Sequence, residues 1–242
     1  MSLVEVQTHE GWIEARLNRA ARRNALSGEL ADQLIECIER AEAHGPGMVL
    51  AANGPVFCAG ADLKEGLSLD GERPSTRVVG ALLRTRVFVV AGVDAGVYGA
   101  GLSLLAACPV VVGTPRASLN FPESNHGFFP VGVMPWVEGF VPRRRLVQLG
   151  MTSGTLTAQE AYDLGLFSEL AEPSDLPASM ERWMALVCSD PTVAFDAKRY
   201  WASAFLDERL EQRIKELESL LADRMLSPDV TTSTGSSRTG LS

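Results

Sequence analysis

Two short turns rich in glycine and alanine hold the most suggestive chemistry in the chain: Phe57-Cys58-Ala59-Gly60-Ala61-Asp62 and Tyr98-Gly99-Ala100-Gly101. Each ends a run that reads as a buried strand, and the second leads straight into an apolar helix from Leu102. Small residues let a substrate approach backbone N–H groups closely. A helix N-terminus adds unsatisfied donors and a partial positive charge. Two such turns can aim two donors at one developing oxyanion; taken singly, each is equally a tight packing turn. The third candidate is Glu123, which sits between Phe121 and the pair Phe128 and Phe129. Burial among those rings would raise its pKa and suit proton shuttling. Its place after Pro122 equally suits a helix-start carboxylate at the positive end of a macrodipole. His126, three residues on, reads as a second acid/base, as a residue orienting Glu123, or as a surface histidine.

Other chemistries find no footing. No G-x-G-x-x-G opens a helix, no Walker lysine follows a glycine-rich loop, and no G-x-S-x-G elbow is present. Ser103 lies inside a helical segment without an evident His-Asp support, so a serine hydrolase is not expected. Asp62 and Asp94 read as residues that hold turns. The four cysteines, Cys37, Cys58, Cys108 and Cys188, show no metal-ligand spacing. They are expected to be reduced thiols of a cytoplasmic protein, and no metal is expected.

The elements that must position these groups follow from periodicity. Residues 3–6 and 12–17 flank His9-Glu10-Gly11 as a hairpin. Ser27 caps a helix with Leu30, Leu34, Ile35, Ile38 and Ala41 on one face, stopped by Gly45-Pro46-Gly47. Buried strands are predicted over 48–51 and 87–93, with a helix over 75–86 between them. The stretch 53–62 reads as a loop, 96–101 as a turn, 102–107 as a short helix, and 109–112 and 117–121 as strands. This alternation argues for an α/β core. Beyond residue 140 the strand signal fades, and helices are expected over 143–149, 158–164, 176–187, 192–205 and 207–225. The expected organisation is a core over 1–190, a helical region over 191–226 and a disordered Ser/Thr/Gly-rich tail over 227–242.

Bulk properties narrow the partners. The chain has 242 residues, enough for one large domain with its own core. Its net charge of −8 disfavours nucleic acid and anionic membrane surfaces. The longest apolar stretch, 102–113, is interrupted by Ser103 and Pro109 and is too short to span a bilayer. The start, MSLVEVQTHEGW, lacks the basic and apolar regions of a signal peptide, so none is expected.

Taken together the motifs resemble the enoyl-CoA hydratase/isomerase (crotonase) superfamily. The matching segments are Leu17-Asn18-Arg19 with Arg23-Asn24-Ala25-Leu26, then Phe57-Cys58-Ala59-Gly60-Ala61-Asp62-Leu63-Lys64. Next come Ala91-Gly92-Val93-Asp94 with Gly99-Ala100-Gly101-Leu102, then Phe121-Pro122-Glu123. The last are Leu156-Thr157-Ala158-Gln159-Glu160-Ala161 and Gly165-Leu166. The resemblance implies a spiral of ββα units capped by C-terminal helices, assembled as homotrimers or dimers of trimers. It implies a thioester substrate, acyl-CoA or an acyl-carrier thioester, with no cofactor beyond the CoA of the substrate. It places the oxyanion-hole donors at the N–H groups of Ala61 and Ala100 and one acid/base at Glu123. It also brings Arg19, Arg22, Arg23 and Lys64 toward the CoA phosphates, with Ala59, Asp62 and Leu63 beside them. Those charges equally read as solvated loop residues. Phe128, Phe129, Val131, Met134 and Trp136 become candidates for the acyl pocket, although an apolar run is more often core, with Glu138 and Tyr98 as further candidates.

The chain departs from the family at two places. Hydratases of the family use a second Glu three residues after the oxyanion position, and here that residue is Ser103. A neutral hydroxyl cannot stand in for a carboxylate base. Efficient hydration is therefore not expected. Double-bond isomerisation of an enoyl-CoA with Glu123 as single acid/base is the first reading. Acyl-thioester decarboxylation and a non-catalytic thioester-binding paralogue are the alternatives. The aromatic and basic final helix that reaches a neighbour's CoA in the family is replaced here by the polar tail from Ser227.

Overall fold

The computed structural model describes residues 2–65 and 73–210, and of the helix that follows, 212–214, 216, 217 and 219. Strands β1 (Val4–His9) and β2 (Trp12–Leu17) form the expected hairpin, Val4 opposite Leu17. Helix α1 (Gly28–His44) begins at Ser27, whose hydroxyl accepts the Leu30 N–H at 3.1 Å. Its buried stripe runs Leu30, Leu34, Cys37, Ile38, Ala41, the spacing of one helix face. The chain then repeats strand, strand, helix: β3 (Gly47–Ala52), β4 (Val56–Cys58), α2 (Pro74–Arg84); β5 (Phe88–Val93), β6 (Gly96–Tyr98), α3 (Ala100–Ala107). The third turn starts with β7 (Val110–Gly113) and β8 (Ser118–Asn120) and continues through α4 (Met134–Val137) and α5 (Arg143–Thr152). There follow β9 (Thr155–Thr157), α6 (Ala158–Asp163), β10 (Glu169–Leu170), α7 (Leu176–Ser189) and α8 (Pro191–Ser203).

The first strand of each repeat joins one sheet, ordered β1-β2-β3-β5-β7-β10, and the second joins another, ordered β4-β6-β8-β9. From β2 to β10 the larger sheet is parallel. Each turn therefore adds one strand to each sheet, which is the ββα spiral. The larger sheet is covered on both faces, as a parallel sheet must be. Alternate residues face opposite sides: Met48, Leu50, Val89, Ala91 and Val111 join the core with α1 to α3. Val49, Ala51, Val90, Val110 and Val112 join a second core with Met180, Met184 and Val187 of α7 and Ala194 of α8. That is why these strands read as unbroken apolar runs.

Several elements correct the sequence reading. The stretch 53–62 is not all loop, since it contains β4, and 96–101 contains β6 and the first residues of α3. Two strands, β9 and β10, lie beyond residue 140. At three and two residues they are too short for a period-2 pattern to register. The helix expected over 207–225 is helical at 208–210 and 212–214. Ile214 of this helix is buried in the core and Leu210 packs against it. Leu220, Leu221 and the 227–242 tail lie outside the described residues. Among the described residues no helix is long and apolar enough to cross a membrane.

Candidate active site

The spiral brings the two turns side by side. Leu26 donates its N–H to Gly60 O (2.8 Å) and Asp62 donates to Leu26 O (3.1 Å), a parallel bridge centred on Ala61. In that pattern the N–H of Ala61 faces away from Leu26. Gly60 has φ +83°, and a Cβ there would fall 2.9 Å from Tyr98 O and 3.3 Å from Ala100 N. Only glycine lets the first turn lie this close to the second. Ala100 is the first residue of α3, where a backbone N–H has no intrahelical partner. Among the described residues, neither the Ala61 N–H nor the Ala100 N–H has a hydrogen-bond acceptor.

Glu123 arrives from the third turn of the spiral. It lies in a 3₁₀ turn, Pro122–His126, that leaves the end of β8, a strand paired with both β6 and β9. A Cβ built on Gly99 would stand 2.8 Å from Glu123 Oε1, so the carboxyl lies against the start of α3. Glu123 Oε2 is buried with no hydrogen-bond partner among the described residues. Burial pushes this carboxyl from the usual 4.5 up to about 7. Both sequence readings of Glu123 hold structurally: it starts a helical turn, and it is a carboxyl of raised pKa.

Ala61, Ala100, Glu123 and His126 line one cleft of about 170 Å³, together with Leu26, Phe128, Phe129 and Val133. Ala59, Asp62 and Leu63 line it too, whereas Arg19, Arg22, Arg23 and Lys64 do not. Arg19 donates to Asp62 Oδ2 at 2.5 Å and to Ala25 O at 3.0 Å, and lies 3.6 Å from Glu65. Its guanidinium holds the first turn and keeps the Asp62 carboxyl below the usual range. Asp62 thus holds a turn, as read from sequence. Arg22, Arg23 and Lys64 are exposed. Met134 and Trp136 are buried in the core and Val131 is outside the cleft, which corrects their placement in the acyl pocket. Glu138 pairs with Arg213 and Arg143 beside a different cavity, and Tyr98 lies outside the cleft with its ring over Gly96. Ser103 is buried one turn into α3, outside the cleft lining, its hydroxyl without a hydrogen-bond partner among the described residues.

The sequence reading missed several contributors. Arg73, Pro74 and Ser75, at the start of α2, line the cleft, as does Glu65. Asn24, fully buried, accepts the Arg19 N–H and donates to Asn53 O and Val56 O, fastening the first turn to the hairpin. Its backbone is left-handed, φ 52°, a conformation in which asparagine is enriched, and its place in the Arg23-Asn24-Ala25-Leu26 segment is the sequence signal for it. The result is one cleft lined by a carboxyl whose pKa is raised by burial, by Ala61 and Ala100, whose N–H groups have no acceptor among the described residues, and by the apolar side chains of Leu26, Phe128, Phe129 and Val133. Such a site can move a proton at a carbon next to a carbonyl while stabilising the charge on that carbonyl's oxygen.

Comparison with known proteins identifies the family and the fold. The enoyl-CoA hydratase/isomerase family profile matches residues 7–233. YngF of Bacillus subtilis, named as an enoyl-CoA hydratase/isomerase, is 30% identical over 189 residues, 74% of this chain and 72% of its own length. A Mycobacterium leprae protein named as the enoyl-CoA hydratase echA6 is 28% identical, covering 94% of this chain and 93% of its own. The crystal structure of an enoyl-CoA hydratase from Mycobacterium avium superposes with a TM-score of 0.85 at 26% identity, over 96% of this chain and 94% of that one. With the ββα spiral and the ordered motifs, these matches establish that the chain belongs to the enoyl-CoA hydratase/isomerase family, with the crotonase fold.

Proposed function

We propose that this enzyme moves the double bond of an enoyl-CoA, using Glu123 as its single acid/base and the Ala61 and Ala100 N–H groups as an oxyanion hole. The thioester oxygen accepts both hydrogen bonds. The Glu123 carboxylate takes a proton from the α carbon, the C–H electron pair moves into the enolate, and the Glu123 acid then delivers a proton to the γ carbon, becoming a carboxylate again. Each oxyanion donor is worth ~10²–10³ in rate. The observation that carries this reading is the Glu123 carboxyl, which lies against Gly99 with its Oε2 buried without a hydrogen-bond partner among the described residues and is pushed up to about 7 by burial. Such a carboxyl serves as base and acid within one turnover. Hydration would require a second carboxylate to activate water, and Ser103 supplies only a buried hydroxyl.

CoA enters this scheme only as part of the substrate. Assembly into trimers or paired trimers, which the family resemblance implies, is supported by Val193 and Tyr200, one face of α8 and 63% and 83% exposed. The test is a pair of assays on one preparation, a 3-enoyl-CoA for isomerisation and crotonyl-CoA for hydration. Isomerisation should exceed hydration by at least tenfold. Hydration as fast as isomerisation would overturn the single-carboxylate reading, and no turnover of either would favour a non-catalytic paralogue.

A further inference from the structure

His126 occupies a place that the proton chemistry of Glu123 alone does not use. The two residues lie three apart in one 3₁₀ turn, where side chains at i and i+3 eclipse and so share a face. Both line the cleft. Glu123 has one carboxyl oxygen buried without a partner, whereas His126 is exposed and engaged in no hydrogen bond among the described residues. Among the described residues two other carboxyls line the cleft, and both are committed. Asp62 is held by Arg19, and Glu65 accepts from Gly28 N–H and sits beside Arg19. The arginine that lines the cleft, Arg73, has donors and no acceptor. A neutral imidazole, by contrast, offers one ring nitrogen as acceptor and one as donor, and changes charge near neutrality.

We propose that His126 relays protons between the buried Glu123 carboxyl and solvent; this rests on the functional reading above. After α-proton abstraction the Glu123 O–H bond breaks and its proton passes to an imidazole nitrogen, regenerating the carboxylate. The imidazolium then gives its N–H proton to water at the mouth of the cleft. Run backwards, the same steps load Glu123 with a solvent proton. His126 is thus a positioning residue for the proton, acting through Glu123 without touching the reacting carbons. It sets whether the proton that reaches the γ carbon comes from the substrate or from solvent.

The test is isomerisation of a 3-enoyl-CoA in deuterium oxide, with the deuterium content of the 2-enoyl product read by mass spectrometry. Wild type should give product labelled from solvent. His126→Ala and His126→Gln should both retain the substrate proton, with labelling reduced at least fivefold, and added imidazole should restore labelling in His126→Ala. Glutamine preserves size and hydrogen bonding but carries no proton at neutral pH. Full labelling with His126→Gln would therefore show a packing role and overturn the relay. Unchanged labelling in His126→Ala would overturn the relay and leave the isomerase reading standing. A wild type that neither isomerises nor exchanges would overturn that reading itself, and the relay with it.

Discussion

Gly99 and Glu123 meet across the cleft: a Cβ on Gly99 would stand 2.8 Å from Glu123 Oε1. Gly99 also caps α3 with a φ of +50°, a region that disfavours side chains. One glycine therefore sets both the first donor of the helix and the space for the carboxyl. Gly99→Ala should displace Glu123, disturb the Ala100 N–H and cut kcat by at least 10²-fold with the fold retained by circular dichroism. Turnover within a factor of three of wild type would show that the carboxyl does not need this surface.

Glu123→Gln tests the acid/base directly. A general acid/base contributes ~10²–10⁴ in rate, and that loss should appear in kcat while acyl-CoA affinity changes little, since the backbone donors remain. Full turnover in this variant would remove Glu123 from the chemistry.

The same carboxyl gives a pH signature in stability. Its folded pKa of about 7 lies above the usual 4.5, so between those values the folded state binds more protons than the unfolded. Stability must then fall as pH rises through that window, and the penalty is fully present above about 7. The shift corresponds to about 3 kcal/mol as an order of magnitude. Glu123→Gln should consequently stabilise the protein more at pH 8 than at pH 4.5, measured by denaturant unfolding. An equal effect at both pH values would mean that the carboxyl titrates normally.

Lys198 gives the opposite sign. It is 1% exposed on α8, donating to Leu82 O at 2.7 Å near the end of α2. Burial pushes its pKa from the usual 10.5 down to about 8. Between those values the unfolded state binds more protons, so stability rises with pH across that window. Because the Cys108 thiol interacts electrostatically with Lys198, the comparison with Lys198→Met is made in a Cys108→Ala background, which isolates this rise from that thiol's titration. The difference between the Cys108→Ala protein and its Lys198→Met variant should climb by up to about 3 kcal/mol between pH 8 and 10.5. A flat difference would place the ammonium in contact with solvent.

These relationships were unequally legible in the sequence. The two turns, the Ser27 cap and the environment of Glu123 are short-range signals, written in neighbouring residue types. The Arg19–Asp62 pair spans 43 residues and the Asn24 bonds to Asn53 and Val56 span 29 and 32. Sequence spacing cannot distinguish a guanidinium aimed at a ligand from one that closes a loop, so Arg19 read as a phosphate group's partner. Arg73, Pro74 and Ser75 reach the cleft because α2 packs on α1 and α3, which no local pattern encodes. The short β4, β9 and β10 exist through pairing with strands elsewhere in the chain.

The assembly proposal rests on α8. Val193 and Tyr200 are exposed on one face, and a charge there should oppose burial against a second copy. Tyr200→Glu should reduce the mass measured by light scattering from a trimer or hexamer toward a monomer. A monomeric wild type at micromolar concentration would overturn the proposal.

Ser103 separates a vestigial position from a working one. Its hydroxyl is buried, 2% exposed, and has no partner among the described residues. A buried hydroxyl without a hydrogen bond costs about 1–3 kcal/mol relative to an apolar group of similar shape, and alanine is also the better helix former. Ser103→Ala removes the hydroxyl and leaves only a small void inside α3. Stability should therefore rise by about 1 kcal/mol. Isomerisation should be unchanged, because the side chain is outside the cleft lining. A tenfold loss of isomerisation with intact stability would show that the hydroxyl reaches the reacting groups, and the single-carboxylate mechanism would then have to include it.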